Sequence, residues 1–227
     1  MYKKVHKFYK IHGIFNLLLK IIKVLYSKLR TIFLRFLLFL RFNIYKLKYD
    51  ISVNWFLNSE LRKYAKNYIN NKDKNLILEI GSYEGMSAIF FANNFLDNNE
   101  SELTIVDPHY VNKEVIRRFH KNIKKAKNFE RISYHNIESD EYFNKNLQQF
   151  NFIYIDGDHS FDQVFKDLEN CSQNLQEGGV IWLDDYLWYP EDENLNPILK
   201  FMNLYGNNYE VIHKGYQFAI RKLSFET

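Results

Sequence analysis

The feature that most constrains the fold is a series of short apolar runs separated by stretches with helical periodicity. The runs cover residues 76–80, 103–106, 132–135, 152–155 and 180–183. A strand that is apolar along its whole length is typical of a parallel sheet buried on both faces, and its neighbours in such sheets are joined through helices. The alternation therefore predicts an α/β chain with helices on both faces of a sheet.

The predicted elements define a fold class and a boundary. We predict helices over residues 55–70, 87–95, 111–127 and 161–175, the last one ended by Gly178-Gly179, and a closing antiparallel strand pair over 209–213 and 217–221. The prediction is a doubly wound, mostly parallel Rossmann-like sheet with a C-terminal antiparallel strand pair, formed by residues 55–227. A basic amphipathic helical arm, residues 1–54, precedes it.

Charge is distributed unevenly between the arm and the rest of the chain. The first 50 residues contain twelve Lys and Arg and one acid, Asp50, whereas the remaining residues contain nineteen Lys and Arg and twenty-six acids. Apolar residues recur at spacings of three and four between Ile11 and Phe39, as on one face of a helix. A membrane-spanning helix is disfavoured, because Arg30, Arg35 and others interrupt the apolar region. Inserting each of them into a bilayer would cost about 2.5–3.5 kcal/mol.

Two interpretations of the arm remain open. It can lie in a membrane interface with its basic residues at anionic headgroups, or pack against the rest of the chain or a second subunit of a homo-oligomer. Nucleic acid is a disfavoured partner. A signal peptide is also disfavoured, because no small-residue cleavage site follows the apolar stretch. The single cysteine, Cys171, fits a reducing compartment and is expected to be buried on a helix. We therefore expect a cytoplasmic protein that the arm could bring to a membrane surface.

Carboxylates follow the predicted strands at the edge where open α/β sheets bind ligands. The first strand leads into a loop with glycines at positions 81 and 85, and Asp107 ends the second strand. Gly81 permits a tight turn, Gly85 lets the next helix start close to a ligand, and Asp107 could accept both hydrogen bonds of a ribose diol. The spacing is neither that of a dinucleotide fingerprint nor that of a phosphate-binding P-loop. The loop and Asp107 thus suit a nucleoside that carries an amino-acid tail.

The runs LEIGSYEGMSA (78–88) and LTIVDPH (103–109) resemble the cofactor motifs of class I S-adenosylmethionine-dependent methyltransferases. The likeness is greatest to the catechol and caffeoyl-CoA O-methyltransferases and their sugar-modifying relatives, and it covers about residues 76–190 and the closing strands. The resemblance implies that the methionine part of S-adenosylmethionine is bound by the loop, the ribose by Asp107, and the adenine by residues 135–138. The loop residues concerned are Glu79, Gly81, Tyr83, Gly85 and Ser87.

A second group of carboxylates predicts a metal site. Asp156 ends one strand and Asp184-Asp185 end the next, so three carboxylates should converge, and hard oxygen ligands favour Mg²⁺, Mn²⁺ or Ca²⁺. The resembling metal-dependent enzymes carry an Asp at the first position and an Asp-Asn pair at the second, so Asp185 departs from that pattern. His159 is expected to be the base that deprotonates an acceptor hydroxyl. The alternative is that Asp158 and His159 cap the following helix.

The combined expectation is an O-methyltransferase that uses S-adenosylmethionine, assisted by a divalent metal, with Mg²⁺ the expected cation. Its acceptor would be a hydroxyl of a sugar, glycan or small aromatic molecule, and Tyr186, Trp188 and Tyr189 form either a wall for that acceptor or part of the core. Two alternatives are a non-catalytic membrane-surface or assembly protein on the same fold, and a hydroxylase-type relative. No 2-His-1-carboxylate triad supports oxygenase chemistry.

Overall fold

The computed structural model describes residues 2–109 and 112–224, and gives only the backbone of residues 2–15, 17 and 18. The chain divides into two compact units between Lys48 and Tyr49, six residues before the predicted boundary. The reason is that the segment after Lys48 packs as part of the second unit. Tyr49 and Ile51 are buried, and the backbone N–H of Ser52 donates to Glu84 Oε2 at 2.6 Å. We call residues 49–224 the body.

The first unit is one helix, α1 (Tyr2–Lys48), which contains 47 residues. Lys46 and Lys48 lie in its last turn, where cations interact favourably with the exposed carbonyls of the helix end. Among the helices of the described residues, none is long and apolar enough to cross a membrane.

The body is built around a seven-stranded sheet in the order β3-β2-β1-β4-β5-β7-β6. The first five strands pair in parallel, and β7 pairs antiparallel with both β5 and β6. The predicted fold class, including the closing antiparallel pair, is confirmed. The strands are β1 (Leu76–Ile80), β2 (Glu102–Val106), β3 (Ile132–His135), β4 (Phe150–Ile155), β5 (Leu175–Leu183), β6 (Tyr209–Lys214) and β7 (Phe218–Lys222).

In the described residues of the body, six helices connect and cover these strands. Two of them, α5 and α7, were not predicted, and the predicted helix 111–127 is shorter than expected, with its first residue, Val111, outside the described residues. The helices are α2 (Glu60–Tyr64), α3 (Met86–Phe95), α4 (Lys113–Ile123), α5 (Ser139–Lys145), α6 (Phe161–Gln173) and α7 (Pro197–Tyr205). Asn196 begins α7, because its side chain accepts from the N–H groups of Ile198 and Leu199.

The predicted helix 55–70 is instead a broken series of short turns around α2. A 3-10 turn at Trp55–Asn58 precedes α2, and another at Ala65–Asn67 follows it. A tertiary contact fixes the start of α2: the buried Gln217 Oε1 accepts from the Leu61 N–H at 2.6 Å and from Trp182 Nε1 at 2.9 Å. Periodicity along the chain could not reveal a bond to a residue about 150 positions away.

The predicted end of the helix at Gly178-Gly179 is also wrong. Helix α6 already ends at Gln173, where Asn174 donates its backbone N–H to the carbonyls of Asn170 and Cys171. The two glycines lie within β5, and Gly178 has a φ of +71°. The pairing register of β4 with β5 shifts between Phe150 and Phe152. The glycines therefore accommodate a strand irregularity and do not stop a helix.

The core lies between the sheet and its helices. Trp182 and Tyr154 on the two central strands β5 and β4 are fully buried, as is Phe91 on α3. The prediction that Cys171 is buried on a helix is confirmed, since it lies on α6 with no exposed surface. Parallel pairing of β1 with β4 and of β4 with β5 places the carboxyl ends of these strands side by side.

Candidate active site

A cavity of about 1110 Å³ opens at the carboxyl ends of the parallel strands. The chain places β2 and β3 on one side of β1, and β4 and β5 on the other, so the strand order reverses between β1 and β4. Connections leave the sheet in opposite directions at such a point, which leaves a crevice that ligands occupy. Gly81 after β1 and Asp156 after β4 both line this cavity.

Gly81 lies where the loop after β1 meets the end of β4. Its φ is +80°, and a Cβ placed on it would lie 2.1 Å from the carbonyl oxygen of Asp156. The same close approach includes a hydrogen bond of 2.8 Å from the Asp156 N–H to the Ile80 carbonyl. The loop after β1 therefore passes directly against the end of β4, which only glycine allows.

Asp107 holds the loop after β1 in place. Its Oδ2 accepts from the N–H groups of Ser82 and Tyr83 at 2.7 and 2.9 Å, and its Oδ1 accepts from the His109 N–H at 2.7 Å. These bonds also hold Tyr83 in a left-handed conformation with a φ of +50°. The sequence predicted a ligand contact for Asp107, but not that its carboxylate also holds the loop through backbone hydrogen bonds. A carboxylate can accept about four hydrogen bonds, so it retains capacity for one to a ligand.

Glu79 lies behind the cavity wall and does not line it. It is completely buried, and the Ser87 hydroxyl, which does line the cavity, donates to Glu79 Oε1. Glu79 Oε2 has no hydrogen-bond partner among the described residues. Burial is the main cause that raises the pKa of Glu79 to about 8, with a contribution from the negative charge of Asp107.

The predicted cofactor residues thus divide into two groups. Gly81, Tyr83, Ser87 and Asp107 line the cavity, whereas Glu79 and Gly85 do not. Gly85 has a φ of +83° and begins α3, and a Cβ there would lie 3.2 Å from the side chains of Phe119 and Ile123. Its role is to let α3 start against α4.

Two of the three predicted metal ligands form a compact group with His159, the predicted base. Asp156, His159 and Asp185 each offer one ligand atom, and these atoms lie within 4.8 Å of one another. Asp184 lines the cavity but is not part of this group. Its Oδ2 accepts from the Tyr154 hydroxyl at 2.8 Å, and its Oδ1 accepts from the Asp185 N–H at 2.9 Å.

The carboxylates in this region repel one another. Burial, followed by the nearby charge of Asp184, raises the pKa of Asp156 well above its usual range. Burial also raises the pKa of Asp185, whose Oδ1 accepts from the hydroxyl of Tyr216. Desolvation and like charge both disfavour the ionised form, and a bound cation would relieve both.

His159 lies at the open side of this group. Its Nδ1 is 3.5 Å from Asp185 Oδ2, and 41% of its side chain is exposed. Its ring lies 5.0 Å from that of Trp188, which also lines the cavity and is 61% exposed. Of the two expected helix-capping residues, Asp158 accepts from the Ser160 N–H just before α6.

The aromatic residues after Asp185 have different positions. Tyr186 is buried and packs on Phe218 in the core, whereas Trp188 lines the cavity. The Tyr189 hydroxyl donates to the His159 carbonyl oxygen at 2.9 Å. Tyr186 therefore belongs to the core, whereas Trp188 is part of the cavity wall.

Sequence reasoning missed a second polar group in the cavity, formed by the first residue of α5 and two residues of α6. Ser139, Gln163 and Asp167 line it, and Asp167 Oδ1 accepts from Ser139 Oγ at 2.6 Å and from Gln163 Nε2 at 3.1 Å. Asp167 is 1% exposed, its Oδ2 has no partner among the described residues, and burial raises its pKa to about 6. No sequence signal marks these residues, because polar residues on helices usually face solvent.

The segment 135–138, which the resemblance placed near the adenine, contributes only in part. Glu138 lines the cavity next to the polar group, whereas the ring of His135 packs 5.0 Å from that of Tyr142. Two further lining residues come from outside the motifs. Trp55 packs on Tyr83 with ring centroids 5.1 Å apart, and Tyr216 reaches Asp185 from the loop between β6 and β7.

Comparisons with known proteins concern the domain and its fold. Residues 78–186 match the family described as "Methyltransferase domain". No curated protein matches the chain in sequence. An O-methyltransferase from Bacillus cereus, solved with S-adenosylhomocysteine, is 17% identical with a TM-score of 0.57, over 82% of this chain and 88% of that one. The O-methyltransferase TomG of Streptomyces achromogenes, involved in tomaymycin synthesis and solved with S-adenosylmethionine, is 13% identical with a TM-score of 0.58, over 78% and 83%.

A third solved structure shows how widely the fold is used. The precorrin-6y C5,15-methyltransferase from Geobacter metallireducens is 14% identical with a TM-score of 0.57, over 78% of this chain and 95% of that one. At such identities the likeness establishes the fold and leaves the acceptor open. The resemblance drawn from the two sequence motifs is confirmed: residues 78–186 match a methyltransferase domain, and the body shares its fold with solved O-methyltransferases.

Proposed function

We propose that the body transfers the methyl group of S-adenosylmethionine to a hydroxyl of a small molecule or glycan, assisted by a divalent cation. The observation that carries the proposal is that one cavity contains both the loop after β1 and the group Asp156, His159 and Asp185. Pockets for drug-sized ligands have volumes of roughly 300–1,000 Å³. A cavity of about 1110 Å³ has room for a nucleoside cofactor and a small acceptor side by side.

The residues present fit S-adenosylmethionine. We assign its methionine part to Gly81, Tyr83 and Ser87, whose loop offers close backbone approach, and its ribose to Asp107. Glu79 would act through Ser87, which it holds by a hydrogen bond.

The adenine is assigned to the polar group of Ser139, Gln163 and Asp167. A buried carboxylate oxygen with no partner is costly unless a ligand donor satisfies it, and Asp167 Oδ2 is such an atom. The exocyclic amino group of adenine is a donor of the required kind.

The residues also fit a divalent cation of the Mg²⁺ or Mn²⁺ type. Asp156 and Asp185 supply hard oxygen atoms, and their negative charges repel each other. Among the described side chains in contact with them, only His159 could compensate this repulsion, and only when it is protonated. When bound, the cation would lower the pKa of an acceptor hydroxyl. Asp184 would support the site indirectly, since it shares the Tyr154 hydroxyl with Asp156.

His159 is proposed to accept the proton of the acceptor hydroxyl. Asp185 lies beside its Nδ1, which favours the tautomer that leaves Nε2 free to accept a proton. Trp188 beside the same ring would present an apolar surface to the acceptor. If His159 is the base, His159→Gln should leave Mn²⁺ affinity within about twofold and lower catalysis by about 10²–10⁴-fold. If His159 is instead a third metal ligand, the same variant should weaken Mn²⁺ binding.

The test is calorimetric titration of the full chain with S-adenosylmethionine, with and without Mg²⁺. Asp107→Asn should weaken binding by at least tenfold, because the amide replaces one of the oxygens that hold the loop and the ribose. Asp97→Asn is the matched control, since Asp97 makes its ion pair with Lys127 at the surface and does not line the cavity.

Transfer is then measured with radiolabelled S-adenosylmethionine and a panel of phenolic, sugar and nucleoside hydroxyl acceptors. Micromolar cofactor binding that Asp107→Asn loses and Asp97→Asn retains supports the proposal. Absence of cofactor binding in both buffers would refute it and would favour a non-catalytic assembly protein.

A further inference from the structure

Helix α1 has two chemically different sides. At 100° per residue, all seven Lys and Arg side chains between residues 19 and 47 fall within an arc of about 160°. They are Lys20, Lys23, Lys28, Arg30, Arg35, Arg41 and Lys46. This segregation is the first observation on which the inference rests.

The opposite arc of the same stretch is almost entirely apolar. It contains fourteen large apolar side chains and one polar residue, Asn43, and all fourteen are exposed. They are Leu19, Ile21, Ile22, Leu25, Tyr26, Leu29, Ile32, Phe33, Phe36, Leu37, Phe39, Leu40, Ile44 and Leu47. An exposed apolar surface of this extent marks a site that another apolar phase covers. Val24, Leu34, Leu38, Phe42 and Tyr45 lie among the basic residues, whose long stems can extend past them to reach a polar phase.

We propose that α1 lies in the surface of an anionic phospholipid bilayer, with its apolar arc among the acyl chains and its Lys and Arg at the headgroup phosphates. Charge complementarity selects this partner, because residues 1–49 contain no Asp or Glu. Helices with an apolar face and a basic polar face bind such interfaces in the plane of the membrane. The inference concerns α1 alone and does not depend on the proposed methyl transfer.

Charge also argues against a second copy of the chain as the cover. Paired helices are held in register by opposite charges at the edges of their apolar seam. Two copies of this stretch would bring Lys and Arg of both helices to those edges, with no acidic residue between positions 1 and 49 to pair with them. Anionic headgroups supply the missing negative charge.

The test is flotation of the full chain with vesicles of phosphatidylcholine and phosphatidylglycerol at 3:1, compared with vesicles of phosphatidylcholine alone. The variant carries Arg30→Gln, Arg35→Gln and Arg41→Gln together, and the matched control carries Lys at the same three positions. Each basic residue near an anionic surface contributes about a factor of five, so the Gln variant should partition about a hundredfold more weakly. The Lys variant should bind within a few-fold of the parent chain.

Two further measurements keep the result interpretable. Circular dichroism checks that the variants retain their helix content, and sedimentation equilibrium without vesicles gives the oligomeric state. Binding to the anionic vesicles that salt weakens, and that the Gln variant loses, supports the proposal. It is overturned by equal binding to both vesicle types, by equal binding of the Gln variant, or by a dimer that does not float with vesicles.

Discussion

Substitution of three glycines with nearly the same backbone conformation can measure the energetic importance of the close contact between the loop after β1 and the end of β4. Gly81, Gly85 and Gly178 have φ values of +80°, +83° and +71°. Alanine in this left-handed region costs about 1–2 kcal/mol wherever it occurs. The three positions differ in what a Cβ would meet, so substitution of each by Ala separates the cost of conformation from the cost of contact.

The expected losses follow from the distances. At Gly178 nothing lies within 4 Å of the new Cβ, so Gly178→Ala should lower the free energy of unfolding by about 1 kcal/mol. At Gly85 the nearest atoms are side-chain carbons of Phe119 and Ile123 at 3.2 Å, which can shift slightly, and the loss should be about 1–2 kcal/mol. At Gly81 the nearest atom is the Asp156 carbonyl oxygen at 2.1 Å, well below the 3.0 Å that real Cβ atoms respect.

Gly81→Ala should therefore cost at least about 4 kcal/mol, because relief requires the end of β4 to move by about 1 Å relative to β1. That movement would displace Asp156 as well as the loop, so cofactor binding and metal binding should both be lost. Urea unfolding followed by tryptophan fluorescence measures the stability, since Trp182 is fully buried in β5. A Gly81→Ala variant no less stable than Gly178→Ala would refute the close approach and the geometry of the cavity built on it.

Three other predictions concern pH, metal and thiol reactivity. Burial raises the pKa of Glu79 from 4.5 to about 8, so the folded state retains a proton that the unfolded chain loses, and stability falls as pH rises between these values. Glu79→Gln should make that fall shallower in urea titrations at pH 5 to 9. An identical pH profile for the variant would contradict the assignment. Asp185→Ala should weaken Mn²⁺ binding, measured by electron paramagnetic resonance, by at least about a hundredfold, since outer-shell partners alone contribute 10–100-fold; unchanged Mn²⁺ affinity would exclude Asp185 as a ligand. Cys171 is buried on α6, so it should react with Ellman's reagent only at the rate of unfolding, and immediate labelling of the native protein would be inconsistent with the fold.

The candidate site was partly predictable from sequence because its parts are local. The turn from β1 into α3 needs glycine at position 81, and a carboxylate follows β2, β4 and β5, so strand ends and glycines are visible in the chain itself. In a parallel sheet those ends must meet at one edge. The sequence alone therefore predicts that Gly81, Asp107 and Asp156 share one site.

Other parts depended on side-chain direction, which periodicity does not give. Asp184 and Asp185 are adjacent in sequence, yet Asp185 lies beside His159, whereas Asp184 shares the Tyr154 hydroxyl with Asp156. Residues 77–80 of β1 are all buried, so alternation along the strand could not show that Glu79 lies behind Ser87 and outside the cavity.

For this protein, sequence alone determined the alternation of strands and helices, the sheet edge that carries the site, and the separation of a basic helix from an acidic body. Each of these follows from local composition and period. Tertiary structure alone decided that Asp107 holds the loop, that Ser139, Gln163 and Asp167 complete the cavity, and that Gln217 fixes the start of α2. These contacts join residues 25 to 156 positions apart, and their energies exist only once the sheet has brought the partners together.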